Sequence, residues 1–443
     1  MDKIDREKLA ERALQLAGAG EHEVLVTDAD DALTRFTQNA IHQNVAHCET
    51  TIRVRTVSDG RTGVAATNVL DEAALREVVQ RAGTIAEFAP RDAAFPGLPA
   101  GGPTHAPPNA FVAATAAATP DLRAKLAAEV FAVAENDRLW AAGFVKTSRE
   151  SITIANSRGT LASFDGTDAG MNVKQNGASS TGFAERYSSG VGDLDARRVA
   201  KIAAGKVRRS TEPQAVDPGE WTVILEPAAF GELLSYLTDH FSAQAYDEGS
   251  SFLSEGLDRS YVAENVSIRD DYTHLLAPGM PFDFEGVPKQ RVSLIENGVA
   301  KHVVTDSYWA AKLARPDTGH ALPAPNAYGP LPLNVVVEPG VKPVEQLIAE
   351  TKRGLLVSRF WYVRPVDLRQ TIVTGMTRDG TFLIDNGKIA GGVRNLRFNQ
   401  SIIAALAQVE FGSELARSAS YSYANVVPAA KLERFRFTSL TDF

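Results

Sequence analysis

Apolar and polar positions alternate with two different periods along this chain, and the changes between them mark its elements. Ile4, Leu9, Ala13 and Leu16 give an opening helix its face, and Gly18 and Gly20 stop it. Glu23–Thr27 and Leu33–Gln38 read as strands. In Thr51–Val57, Ile52 and Val54 point one way and Arg53 and Arg55 the other, and Asp59-Gly60 then supplies a hairpin turn. Leu75, Val78, Val79, Ala82 and Ile85 predict a helix over Glu72–Phe88 with Asp71 as its N-cap. Prolines at 90, 96, 99, 103, 107, 108 and 120 make the next stretch a linker or a long wrapping segment. Thr119-Pro120-Asp121 opens a second helix whose face is Leu122, Leu126, Val130 and Val133.

Beyond it, Phe144–Thr147, Ser151–Ala155, Thr160–Phe164 and Met171–Gln175 are candidate strands, followed by a helix over Asp195–Arg209. That helix carries Arg197, Arg198, Lys201, Lys206, Arg208 and Arg209, read as a solvated face. Trp221–Leu225 is a short β-rich apolar run. A glutamate and a proline follow, and then Phe230, Leu233, Leu234, Leu237 and Phe241 at helical spacing. Later, Leu294-Ile295-Glu296-Asn297-Gly298 recurs as Leu383-Ile384-Asp385-Asn386-Gly387, each an apolar strand entering an Asn-Gly turn. Pro316–Pro332 reads as a surface loop, Ser401 to about Leu415 as a helix, and Leu432–Phe437 as a closing strand. The expected fold class is α+β: N-terminal α/β units with an antiparallel sheet, then a large β-rich C-terminal domain of antiparallel hairpins. The expected units are 1–90, a Pro/Ala-rich linker at 91–119, a middle α/β segment at 120–212, and 218–443.

Length, 443 residues, calls for more than one core, and 44% hydrophobic with 23% charged residues describes a globular chain. No run of 18 apolar residues predicts a membrane span, and the charged opening helix does not resemble a secretory signal. A net charge of −8 argues against nucleic acid as a partner. The single cysteine, Cys48, leaves no intramolecular disulfide and no multi-cysteine metal site, which favours the cytoplasm.

Chemistry is sparse. No GxGxxG, P-loop or GxSxG pattern occurs. His22-Glu23 begins a strand, with Val26 and Thr27 where a second histidine would be needed. His240 is the one histidine of the helix after Trp221–Leu225, and Tyr236, Leu237, Ala243 and Gln244 occupy the positions from which a helical partner ligand would come. His240 is therefore a weak catalytic candidate, and the residues alone support a binding module as well as an enzyme.

The third segment resolves more. Thr374–Ile389, TGMTRDGTFLIDNGKI, followed by Gly392-Val393-Arg394-Asn395-Leu396-Arg397-Phe398-Asn399, resembles the C-terminal signature of the TldD/PmbA family. Phe284-Glu285-Gly286-Val287-Pro288 with Leu294–Val299 is similar to the family's preceding hairpin, and Asn156-Ser157-Arg158-Gly159 to its middle segment. The family contains cytoplasmic metalloproteases built from a TldD-type and a TldE-type (PmbA) subunit, and some members have been linked to gyrase modulation. In the TldD type an HExxxH helix and a C-terminal cysteine hold zinc. Here Ser235-Tyr236 stand about where His-Glu is expected, Asp239-His240 about where the second histidine belongs, and Ser418–Ser422 contains no cysteine.

The resemblance therefore implies a TldE-type subunit without its own metal, with zinc in a TldD-type partner and small unfolded peptides as substrate. It also allows a homodimer. Arg394, Asn395, Arg397 and Asn399 are the candidate substrate-binding residues. A self-sufficient metallopeptidase with ligands from distant segments, such as His240 with Asp239 or His274, and a non-proteolytic protein-binding regulator are the alternatives.

Overall fold

A computed structural model describes residues 1–418 and 424–441. Its first half is one six-stranded antiparallel sheet with five helices. The strands are β1 (Glu21–Thr37), β2 (Ala40–Ser58), β3 (Arg61–Thr67), β4 (Trp140–Asn156), β5 (Leu161–Asn176) and β6 (Thr181–Ser188), in the spatial order β3-β2-β1-β4-β5-β6. The helices are α1 (Lys3–Ala17), α2 (Glu72–Phe88), the single turn α3 (Ala113–Ala116), α4 (Pro120–Asn136) and α5 (Ala196–Arg209). The two segments read separately in the sequence thus share a sheet, joined where β1 pairs with β4 from Glu23–Asn156 to Phe36–Gly143.

Strand parity divides the faces. Val24, Val26 and Phe36 of β1 lie on the face covered by α1, α2, α4 and α5. Leu25, with Ile152, Ile154 and Phe164, lies on the other, where Met280 and Phe282 of the C-terminal half pack against it. The 90–120 segment wraps this assembly: Asp92 N–H donates to Gly60 O at 2.8 Å and Gly101 N–H to Thr160 Oγ1 at 2.7 Å.

Local chemistry realises most of the expected elements. Asp71 and Thr119 cap α2 and α4 through Ala74 N–H and Leu122 N–H. In α2, however, Ile85 is exposed and Ala86 takes the buried position. The strands expected as short pieces are continuous. The acidic run Asp28–Asp31 does not interrupt β1, because Arg149 binds Asp28 at 2.9 Å and Asp30 at 2.8 Å and the terminal amine binds Asp28. The Ile4 side chain lies outside the described residues.

The second half is built on α6 (Pro227–Thr238) and an eleven-stranded sheet. Its strands are β7 (Gly219–Leu225), β8 (Ile268–Asp270), β9 (Val292–Glu296), β10 (Val299–Ala300), β11 (Asn334–Val337), β12 (Arg353–Asp367), β13 (Ile372–Asp385), β14 (Lys388–Gly392), β15 (Leu396–Ser401), β16 (Val409–Ser418) and β17 (Ala424–Leu440). Both Asn-Gly hairpins form, with Asn297-Gly298 and Asn386-Gly387 at positive φ. The sheet is mixed rather than wholly antiparallel: β7 runs parallel to β12, and β11 to β17. Because β7 also pairs with β17, strands β7, β12, β13, β15 and β17 close on themselves. Phe360, Phe398, Phe435 and Phe437 pack ring against ring from three of them.

Two further expectations change. The helix after Ser401 covers only Ile402–Leu406, and from Val409 the chain is strand, since β17 offers it a ladder through Phe411–Ala430. The Pro316–Pro332 loop has a buried centre, where His320 lies 3.2 Å from Asp270 with both side chains fully covered. Among the described residues no helix is long and apolar enough to cross a membrane.

Candidate functional site

The helix that decides metal chemistry is α6. Pro227 sits in its first turn, and Phe230, Leu233, Leu234 and Leu237 bury its apolar face as the spacing predicts. It ends earlier than the apolar period suggests. After Thr238 one 3-10 turn, Asp239–Phe241, leads to Ser242 in an extended conformation, so His240 is off the α-helix.

Ser235 and Tyr236, equated with the first histidine and the glutamate, are otherwise engaged. Ser235 Oγ donates to Glu232 O at 2.7 Å, and Tyr236 Oη donates to Val363 O at 2.7 Å. His240 is 4% exposed, its ring 5.5 Å from that of Phe252, and burial lowers its pKa to about 4. His274 accepts from Leu276 N–H within its own loop. Among the described residues no three His, Cys, Asp or Glu side chains converge to hold a metal ion. A zinc site needs three protein ligands at about 2.0–2.3 Å. These residues do not fit one.

The fold nevertheless brings the corresponding pieces together. α6 lies against the end of β16, where a Cβ on Gly231 would stand 1.9 Å from Ser418 Oγ, and Asn425 Nδ2 donates to Gly231 O at 3.3 Å. Ser418 Oγ and Asn425 Oδ1 are buried without a hydrogen-bond partner among the described residues. Residues 419–422, the rest of the stretch equated with the family cysteine, lie outside the described residues. Elsewhere on α6, burial raises the Glu232 carboxyl to about 7 against the pull of Arg359 and Arg364.

Beside the start of α6 a cleft of about 400 Å³ separates the two halves. Phe183–Glu185 of β6 and Gly412–Arg417 of β16 form two of its walls, and each of these strands has a single strand neighbour. Lys206 reaches into it from α5, only 5% exposed, binding Phe183 O at 2.7 Å and the Glu226 carboxylate. The solvated reading of the α5 cations thus fails for Lys206. Its position three residues after Ala203 and seven after Val199, on the apolar face, is the signal that could have found it. Ser358 Oγ, fully buried and without a partner among the described residues, lines the same cleft.

The four residues expected to bind substrate separate. Arg394 and Asn395 line a different cleft with the 177–181 turn and Asp379–Thr381. Arg397 and Asn399 are exposed on β15, opposite Met376 and Thr374 of β13, and Asn399 opens onto a third cleft with Glu220 and Arg436. The conspicuous residue of the signature is instead Asp379. It is 2% exposed and joins the halves by binding Lys174 of β5 at 3.0 Å and Arg359 of β12 at 2.5 Å. Burial pushes its carboxyl up, but Arg359 and Lys174 hold it below the usual range.

Comparison with known proteins agrees with this architecture. Residues 218–439 match the PmbA/TldA metallopeptidase C-terminal domain, and residues 23–86 match the PmbA/TldA metallopeptidase domain 1. Over 213 residues the chain is 27% identical to a zinc metalloprotease TldD homolog of Saccharolobus solfataricus, covering 44% of each chain. Over 202 residues it is 30% identical to a metalloprotease PmbA homolog of Haemophilus influenzae, covering 43% of this chain and 40% of that one. The chain thus spans less than half the length of these curated relatives. TldE from Thermococcus kodakarensis, known from a crystal structure, shares the whole fold with a TM-score of 0.89 at 22% identity, over 98% of this chain and 100% of that one. With the family's C-terminal model extending over half its length, this chain belongs to the PmbA/TldD metallopeptidase family.

Proposed function

We propose that this chain is the non-catalytic, TldE-type subunit of a two-chain zinc metalloprotease that processes small unfolded peptides in the cytoplasm. One observation carries the reading: Ser235 and Tyr236 stand about where the family resemblance puts the first histidine and the glutamate, His240, about where it puts the second histidine, is off the α-helix, and Ser418–Ser422 contains no cysteine. The TldD-type partner would hold the metal, which activates water and polarises the scissile carbonyl. This chain's part is to help enclose the peptide. The edges of β6 and β16 suit that task, because an added strand bonds through its main chain and tolerates varied side chains.

The test is the metal content of the chain purified alone and then with a candidate HExxxH partner. No metal alone and about one zinc per heterodimer is expected. Stoichiometric zinc on the isolated chain would overturn the reading and return attention to His240 and Asp239.

A further inference from the structure

The hairpin of β12 and β13 ends in apolar side chains that the fold leaves open. Trp361 is 44%, Tyr362 59%, Val366 56% and Leu368 58% exposed, while Phe360 and Val363 between them are buried. Thr371 N–H donates to Leu368 O at 2.9 Å and Ile402 N–H to Thr371 O at 3.0 Å, so the turn presenting Leu368 is anchored to the short helix Ile402–Leu406.

Arginines surround this tip in a chain of net charge −8. Residues 359–378 include Arg359, Arg364, Arg369 and Arg378, and the one carboxylate in the stretch, Asp367, accepts from Gln370 N–H at 2.9 Å. Arg359 and Arg378 lie 5.3 and 4.9 Å from the centre of the Trp361 ring, and Arg364 lies 4.5 Å from that of Tyr362. Asp379 is shared among Lys174, Arg359 and, at 4.0 Å, Arg378, so cations remain in excess.

Two features select the occupant. From Arg359 onward β12 pairs, among the described residues, with β13 alone, but Pro365 and three register shifts break that edge, and an added strand could not follow it. Nucleic-acid bases stack on open aromatic faces, whereas guanidiniums already lie against Trp361 and Tyr362, and Val366 and Leu368 would have no counterpart there. A bilayer offers a counterpart to each: Trp and Tyr suit the headgroup level, aliphatic side chains the acyl boundary, and arginines anionic headgroups.

We propose that the tip of the β12–β13 hairpin docks on the surface of a bilayer containing anionic phospholipid. The contact is peripheral and reversible, with Val366 and Leu368 entering the interface. It does not depend on the reading of the chain as a metal-free subunit.

Co-sedimentation of the full chain with vesicles tests this. The expected result is binding to phosphatidylcholine mixed with phosphatidylglycerol, weakening as salt rises, and little binding to phosphatidylcholine alone. Tryptophan emission should shift to the blue on binding, and not in Trp361→Phe. Arg364→Gln and Arg369→Gln should each weaken binding about fivefold. Val366→Asp with Leu368→Asp should abolish it, and all these variants should melt like the wild type because the four side chains are exposed. Val341→Asp, at a 92% exposed apolar residue outside the hairpin, should bind normally. Equal binding to both vesicle types, binding to neither, tip variants that bind like the wild type, or burial of Trp361 by single-stranded DNA or a TldD-type chain but not by vesicles would each overturn the proposal. No readout involves metal, so failure here is distinguishable from failure of the zinc measurement.

Discussion

At the residue scale the most consequential group outside the clefts is Glu23. It lies beside Arg55 on the face of the N-terminal sheet turned to the C-terminal half, and Arg55 divides itself between Glu23 at 3.9 Å and Glu285 at 2.9 Å. Burial, only partly opposed by Arg55, raises the Glu23 carboxyl from 4.5 to about 8. The unfolded chain therefore releases this proton near pH 4.5 and the folded one only near 8, so stability falls as pH rises between those values and levels off above. Glu23→Gln should flatten that slope, removing a loss on the order of a few kcal/mol. Melting temperatures of wild type and variant from pH 5 to 9 would show parallel curves if Glu23 were not responsible. The sequence held little of this. Arg55 was legible as pointing away from Ile52 and Val54, but the surface it meets is supplied by Glu285. Long-range pairing of this kind leaves no local periodicity.

At the scale of elements, the contact of α6 with β16 is tight enough to be tested by one methyl group. Gly231→Ala would place its Cβ 1.9 Å from Ser418 Oγ and should destabilise by about 1–3 kcal/mol in urea unfolding. Ser418→Gly in the same chain should recover most of it, and equal losses in the single and double variants would locate the strain elsewhere. The helices and Asn-Gly hairpins were legible because caps, apolar spacing and turn residues are local signals. The failures have a common cause. Apolar spacing predicts a helix from Ser401 to about Leu415 and carries α6 through Phe241, because spacing alone does not reveal where a neighbouring strand or the extended Ser242 takes over. The candidate site was partly legible: missing zinc ligands can be read from residue types, but the entry of Lys206 into the cleft depends on how two halves meet.

For the whole molecule, Asp379 is the joint most exposed to test. Asp379→Asn leaves Lys174 and Arg359 facing each other without their shared carboxylate, and removing one partner of a buried pair costs about 3–5 kcal/mol. The expected result is a lower urea midpoint together with faster proteolysis between residues 210 and 218, where the halves are connected. Unchanged proteolysis with a lowered midpoint would mean that Asp379 stabilises β13 alone. The family resemblance made the broad architecture legible, while the closing of β7 on β17 was not, because the two strands stand at opposite ends of the C-terminal half.

That closure also sets an order of events during synthesis. β7 emerges from the ribosome early in its half, yet its antiparallel neighbour Ala430 follows Leu225 only after β8 through β16 have been made. β1 likewise waits through the proline-rich segment for β4. Two strands are thus each held with one edge unpaired while translation continues, the circumstance in which slow, high-contact-order folding competes with aggregation.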